Sequence, residues 1–132
     1  MTKSRLETGL KVRKTVLGEA HVAKAQQATT DFDQPFQDLI TEAAWGTVWA
    51  RDNWSQRERS MVTIALLAGL GHLDECAMHV RAAENGGASR EDIREAMLHV
   101  AIYAGVPAAN SAIKVIKEVF AKIDQERAEN EQ

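Results

Sequence analysis

The chain has 132 residues, 45% hydrophobic and 27% charged, with a formal net charge of -3, which leads to one ordinary globular domain with its own core. No clustered basic excess marks a nucleic-acid footprint, and the longest apolar run, Met61 to Leu70, falls short of the roughly 20 residues that span a bilayer. No secretory signal opens the chain, and the lone Cys76 excludes an internal disulfide or a Cys-x-x-Cys redox pair, so a cytoplasmic protein with neither membrane nor nucleic-acid partner is expected.

Helical periodicity begins at about Lys3, where Leu6, Leu10 and Leu17 recur on one face before Gly18 breaks the pattern. Glu19 to Thr29 is a weaker helix, rich in Ala and Gln, with only Val22 and the alanines to bury. Asp33 is placed to cap a third helix, with Pro35 in its first turn and Phe36, Leu39, Ile40, Ala43 and Ala44 inward, ending at Trp45-Gly-Thr-Val-Trp49-Ala-Arg51. Ser55 and Glu58 have capping-box spacing for a fourth helix reaching about Leu70. Beyond Ser60 that helix is apolar all round, so it is expected in the middle of the fold or of an assembly.

A fifth helix runs from about Leu73 to Asn85, stopped by Gly86-Gly87. Ser89 and Asp92 open a sixth, with Ile93, Ala96, Met97, Val100, Ala101 and Ala104 as its core stripe; its other side, Leu98, His99, Ile102 and Tyr103, is too apolar for open solvent. After Gly105, Pro107 suits the first turn of a last helix carrying Ala112, Val115, Ile116, Val119 and Ile123 inward, and the charged tail 124–132 is expected to fray. With no period-two alternation, the fold class is all-α, a single-domain bundle of six to seven helices. Apolar residues on more than one helix face argue for a homo-oligomer.

Most polar residues have structural explanations. Glu58 reads as a capping residue, His21 as a solvated surface histidine, His99 as a satisfied buried one, and Cys76 as a small packed side chain. Trp45, Trp49 and Trp54 read as core or interface aromatics, and Trp49 also as a pocket wall. His72, Glu75 and His79 share one helix face by spacing. They read either as an acid/base site, with the carboxylate orienting an imidazole, or as an exposed pair worth a few tenths of a kcal/mol. A shared metal is disfavoured because the histidines are seven residues apart, about 10 Å along a helix axis.

Trp45-Gly-x-x-Trp49-x-Arg51, Arg59-Ser60, Glu75-x-x-x-His79-Val-Arg-x-Ala, Asn85-Gly-Gly and His99-Val-Ala-x-Tyr103-Ala-Gly-Val-Pro107-Ala-Ala-Asn110 together resemble the 4-carboxymuconolactone decarboxylase family, in order, from about Phe36 to Phe120. The resemblance implies the all-α fold of the alkylhydroperoxidase D-like proteins and ring-shaped homo-oligomers, typically hexamers. It implies a carboxy-lyase of protocatechuate catabolism, in the β-ketoadipate pathway, acting without cofactor or metal on a dicarboxylate lactone. The related peroxidase motif, Glu then Cys-x-x-Cys-x-x-x-His, falls on Ser60, His72, Glu75 and His79, so its disulfide chemistry is lost. By the same resemblance His79 is the proton or oxyanion donor and Glu75 orients it. Arg51 and Arg59 bind carboxylates, and Tyr103, Asn110, His72 and Trp49 complete the substrate-binding set.

Overall fold

A computed structural model describes residues 4–131, and every regular element among them is helical. The backbone divides into two compact units, one ending at Gln56 and one beginning at Arg57.

The first unit holds α1 (Arg5–Leu17), α2 (Glu19–Ala28) and α3 (Gln34–Ile40), the last continuing into a π-helical segment, Thr41–Val48. Ser4 caps α1 by accepting from the Glu7 amide at 3.1 Å. Gly18, at φ +93°, makes the break between α1 and α2 that its glycine predicts. The π segment and α1 cross almost backbone to backbone. A methyl group on Gly9 would run into the Thr41 carbonyl and lie 2.9 Å from the Gly46 nitrogen. The wider turn is seen where the Trp49 amide reaches five residues back to the Ala44 carbonyl at 2.8 Å.

Two expectations for this unit are corrected. Asp33 does not cap α3 with its side chain; Oδ1 turns back to accept from the Thr30 amide at 2.7 Å, closing the preceding turn. Phe36, Leu39 and Ala43 lie exposed rather than inward. Gln37 of the short α3 and Thr41 at the start of the π segment instead both accept hydrogen bonds from Arg13 of α1.

The second unit contains α4 (Gln56–Leu70) from Arg57 onward, α5 (Leu73–Ala82) with a 3-10 turn at Ala83–Gly86, α6 (Arg90–Tyr103) and α7 (Val106–Asn130). Ile64 and Ala68, Cys76 and Val80, Ile93, Met97 and Val100, then Ala112 and Ile116 close one core. These are the inward stripes that the 3.6-residue period marks. Ser89 and Asp92, expected to open α6, do so as a reciprocal capping box.

Helix α7 continues to Asn130, past the point where its charged tail was expected to fray. Its charges meet partners: Asp124 with Arg90, Glu126 with Arg81, and Arg127 with Glu84. Each exposed pair contributes little alone, but three on one helix favour the same docked register. The all-round apolar α4 buries Ile64 and Ala68 while Leu66 and Leu70 stay exposed, and on α6 Leu98 and Ile102 are exposed too. Ala104, expected in the core stripe, is also exposed, because α6 ends one residue before it.

Candidate active site

The row proposed along α5 divides by depth. His72 is the residue preceding the helix, its carbonyl accepting from the Cys76 amide at 2.9 Å, and its side chain is exposed. Glu75 is exposed in the first turn, where the helix dipole favours a carboxylate. One turn on, His79 is 8% exposed, between the fully buried Cys76 and Val80. A solvated surface pair does not describe His79, since its imidazole is taken out of water.

From the first turns of α4, Arg59 and Ser60 are likewise buried. The second unit thus places a guanidinium, a hydroxyl and an imidazole below its surface, among the described residues. Burying such groups is unfavourable unless hydrogen bonds or a ligand compensate. Ser60 received no role from the sequence. Its signal was positional: it stands where the largely apolar stretch of α4, broken by Thr63, begins.

Other candidates lie at the surface. Tyr103 is 85% exposed and stacks on His99, with ring centroids 6.2 Å apart and planes 15° from parallel. His99 is therefore not the buried histidine its position beside the core stripe suggested. Asn110 is exposed near the start of α7, on a groove it shares with Lys114 and Lys117. In the first unit, Trp49 is buried against Trp45, centroids 5.1 Å apart, and Arg51 is exposed two residues later.

The Cys76 thiol is pushed up by burial to about 11, so it stays protonated at neutral pH and is a poor nucleophile. Among the described residues, no three His, Cys, Asp or Glu side chains gather as a metal-binding group. The chemistry this arrangement offers is proton donation and anion stabilisation by buried nitrogen donors.

The family model for the carboxymuconolactone decarboxylase family matches residues 34–118. A 4-carboxymuconolactone decarboxylase of Acinetobacter baylyi is 45% identical over 118 residues, covering 89% of this chain and 88% of the relative. The nitrosuccinic acid decarboxylase npaB of Metarhizium robertsii is 41% identical over 128 residues, 94% of this chain and 90% of that protein. A 4-carboxymuconolactone decarboxylase sequence of Pseudomonas putida is 43% identical over 44 residues, 33% of this chain and 92% of its own length. The matched region runs from the start of α3 into α7 and takes in Trp49, Arg51, Arg59, Glu75, His79, Tyr103 and Asn110. The chain belongs to the carboxymuconolactone decarboxylase family.

Proposed function

We propose that this protein decarboxylates 4-carboxymuconolactone to the β-ketoadipate enol-lactone, without a cofactor. The observation that carries the reading is the 45% identity, over nearly the whole of both chains, to the Acinetobacter enzyme of that name. The reaction needs no external electron sink. The departing carboxylate sits on the γ-carbon of an unsaturated lactone; when its bond to that carbon breaks, carbon dioxide leaves. The electron pair runs through the ring double bond onto the lactone carbonyl. A proton delivered to the α-carbon completes the product.

His79 supports this reading as proton donor, or as donor to the developing dienolate oxygen, because it is buried where its hydrogen bond is little screened by water. Arg59, buried in the same unit, suits a substrate carboxylate through two parallel hydrogen bonds. In this reading Glu75, one turn before His79 on α5, orients the imidazole, and Arg51, Trp49, His72, Tyr103 and Asn110 belong to the wider binding set. Several of these are exposed, as are Leu66, Leu70, Ile102 and Tyr103, which supports a homo-oligomer, a hexamer by the family pattern, that covers the apolar faces. The setting is cytoplasmic protocatechuate catabolism, as a single-domain enzyme.

The 41% identity to npaB favours a second reading, a decarboxylase of nitrosuccinic acid. There too a carboxylate lies beside an electron sink, the nitro group, with a second carboxylate for binding. The test is turnover of freshly generated 4-carboxymuconolactone and of nitrosuccinate by the assembled protein. Carbon dioxide and product are followed together in deuterated solvent, with His79→Ala in parallel. Lactone turnover that places one deuterium at the α-carbon and falls by orders of magnitude in His79→Ala is expected. No lactone turnover with rapid loss of nitrosuccinate would transfer the assignment to the second reading.

A further inference from the structure

The first unit holds a guanidinium that no carboxylate neutralises among the described residues. Arg13 of α1 is half-buried and donates to Gln37 Oε1 at 3.1 Å and Thr41 Oγ1 at 3.3 Å, both neutral oxygens. Its Nε is buried with no hydrogen-bond partner among the described residues. Arg57, Arg81, Arg90 and Arg127 each rest on a carboxylate, whereas burial alone acts on Arg13, pulling its pKa down. A buried donor and an uncompensated charge both cost free energy, which an anion would recover.

Arg13 lines a partly open cavity of about 340 Å³ bordered by α1, α2, α3, Thr29 and Thr41, at the small end of ligand sites. Leu6, Leu10 and Val22 give it an apolar wall. Partial burial, then the charges of Arg13 and Lys24, hold the nearby His21 imidazole below its ordinary pKa. The carboxylate on the wall, Asp38, accepts from Gln34 Nε2 at 2.9 Å and makes no ion pair with Arg13 among the described residues.

We infer that this cavity binds a small organic monocarboxylate, its carboxylate on Arg13 and its apolar body against Leu6, Leu10 and Val22. The guanidinium fork matches a carboxylate bidentately. The apolar wall selects an organic body over inorganic phosphate, and Asp38 repels a second carboxylate, selecting a monoacid over a diacid. The site lies wholly within the first unit, and none of the proposed catalytic or substrate-binding residues lines it. It therefore stands independently of the decarboxylase reading.

The test is an NMR titration of the full chain labelled at histidine Cε1, with benzoate, succinate and inorganic phosphate as probes. Saturable benzoate binding that raises the His21 pKa is expected, at least tenfold tighter than succinate or phosphate by the same signal. Arg13→Gln removes the response. Because that variant risks the fold, Gln37→Glu serves as a second: it places a carboxylate on Arg13, raises the His21 pKa without ligand and weakens benzoate at least tenfold. A His21 pKa unmoved by saturating benzoate overturns the inference, as does undiminished benzoate binding in Gln37→Glu. So does an Arg13→Gln chain whose only change is a lower assembly mass, because the partner of Arg13 is then a carboxylate of another copy.

Discussion

Arg57 and Asp92 form a two-pronged ion pair, Nε to Oδ2 at 2.8 Å and Nη2 to Oδ1 at 2.7 Å, while Oδ2 also accepts from the Ser89 amide at 3.0 Å. One carboxylate thus closes the cap of α6 and ties that helix start to the first turn of α4. The Arg57 hydrogen bonds, then those from Ser89, hold Asp92 far below the usual carboxylate range.

A depressed carboxylate pKa stabilises the fold above the unfolded-state value and loses that contribution as pH falls toward the folded one. The melting-temperature gap between wild type and Asp92→Asn is therefore expected to be constant above about pH 5 and to shrink below about pH 4. A gap independent of pH down to 2.5 would refute the ion pair's part. Ser89→Ala, which removes only the cap acceptor, is expected to cost about 1 kcal/mol in urea denaturation.

Gly9→Ala tests the crossing of α1 with the π segment. The added methyl meets Thr41 and Gly46 backbone, which cannot rotate away as a side chain would. A loss of about 1–3 kcal/mol is expected, with faster amide exchange across Thr41–Val48. Unchanged exchange there would mean the backbones separate without cost.

Cys76 allows a pH test of opposite sign. Its thiol is raised from an ordinary 9.0 to about 11 by burial, so the unfolded chain ionises first and stability falls as pH rises between those values. Cys76→Ala should lack that alkaline loss and keep its turnover. Near pH 8 only about one folded thiol in a thousand is ionised, so a thiol reagent is expected to react rapidly only after unfolding. Fast labelling of the native protein would contradict the burial.

Ile102→Lys places a charge on the exposed apolar side of α6, where Ile102 is 76% exposed and lies outside the core cluster. Its effect on protomer stability is expected within about 0.5 kcal/mol. Assembly mass by light scattering is expected to drop, because burying that ammonium against a second copy is unfavourable. Identical mass would place the assembly interface on another face.

Local chemistry made much of the fold legible. Gly18, Gly71, Gly87 and Gly105 all have positive φ and lie at helix junctions, and the Ser89–Asp92 spacing closes as a cap. The stripes through Ile93, Met97, Val100, Ala112 and Ile116 close the second core. Such features depend on residues within a few positions of one another, which spacing records directly. Asp33 shows the limit, because two local turns competed for one carboxylate and the preceding turn won.

The sequence by itself determined that the chain is helical, where most helices begin and end, and, through its motifs, which family it belongs to. Only tertiary structure decided depth. His72, Glu75 and His79 look equivalent by period, yet His79 alone is buried. Tyr103 and His99 stack outside the protomer's core. Arg13, unmarked by any motif, proved to be a half-buried guanidinium with no carboxylate on it among the described residues. Period places a residue on one face of a helix; what covers that face is set by contacts with distant segments, whose closeness local spacing does not encode.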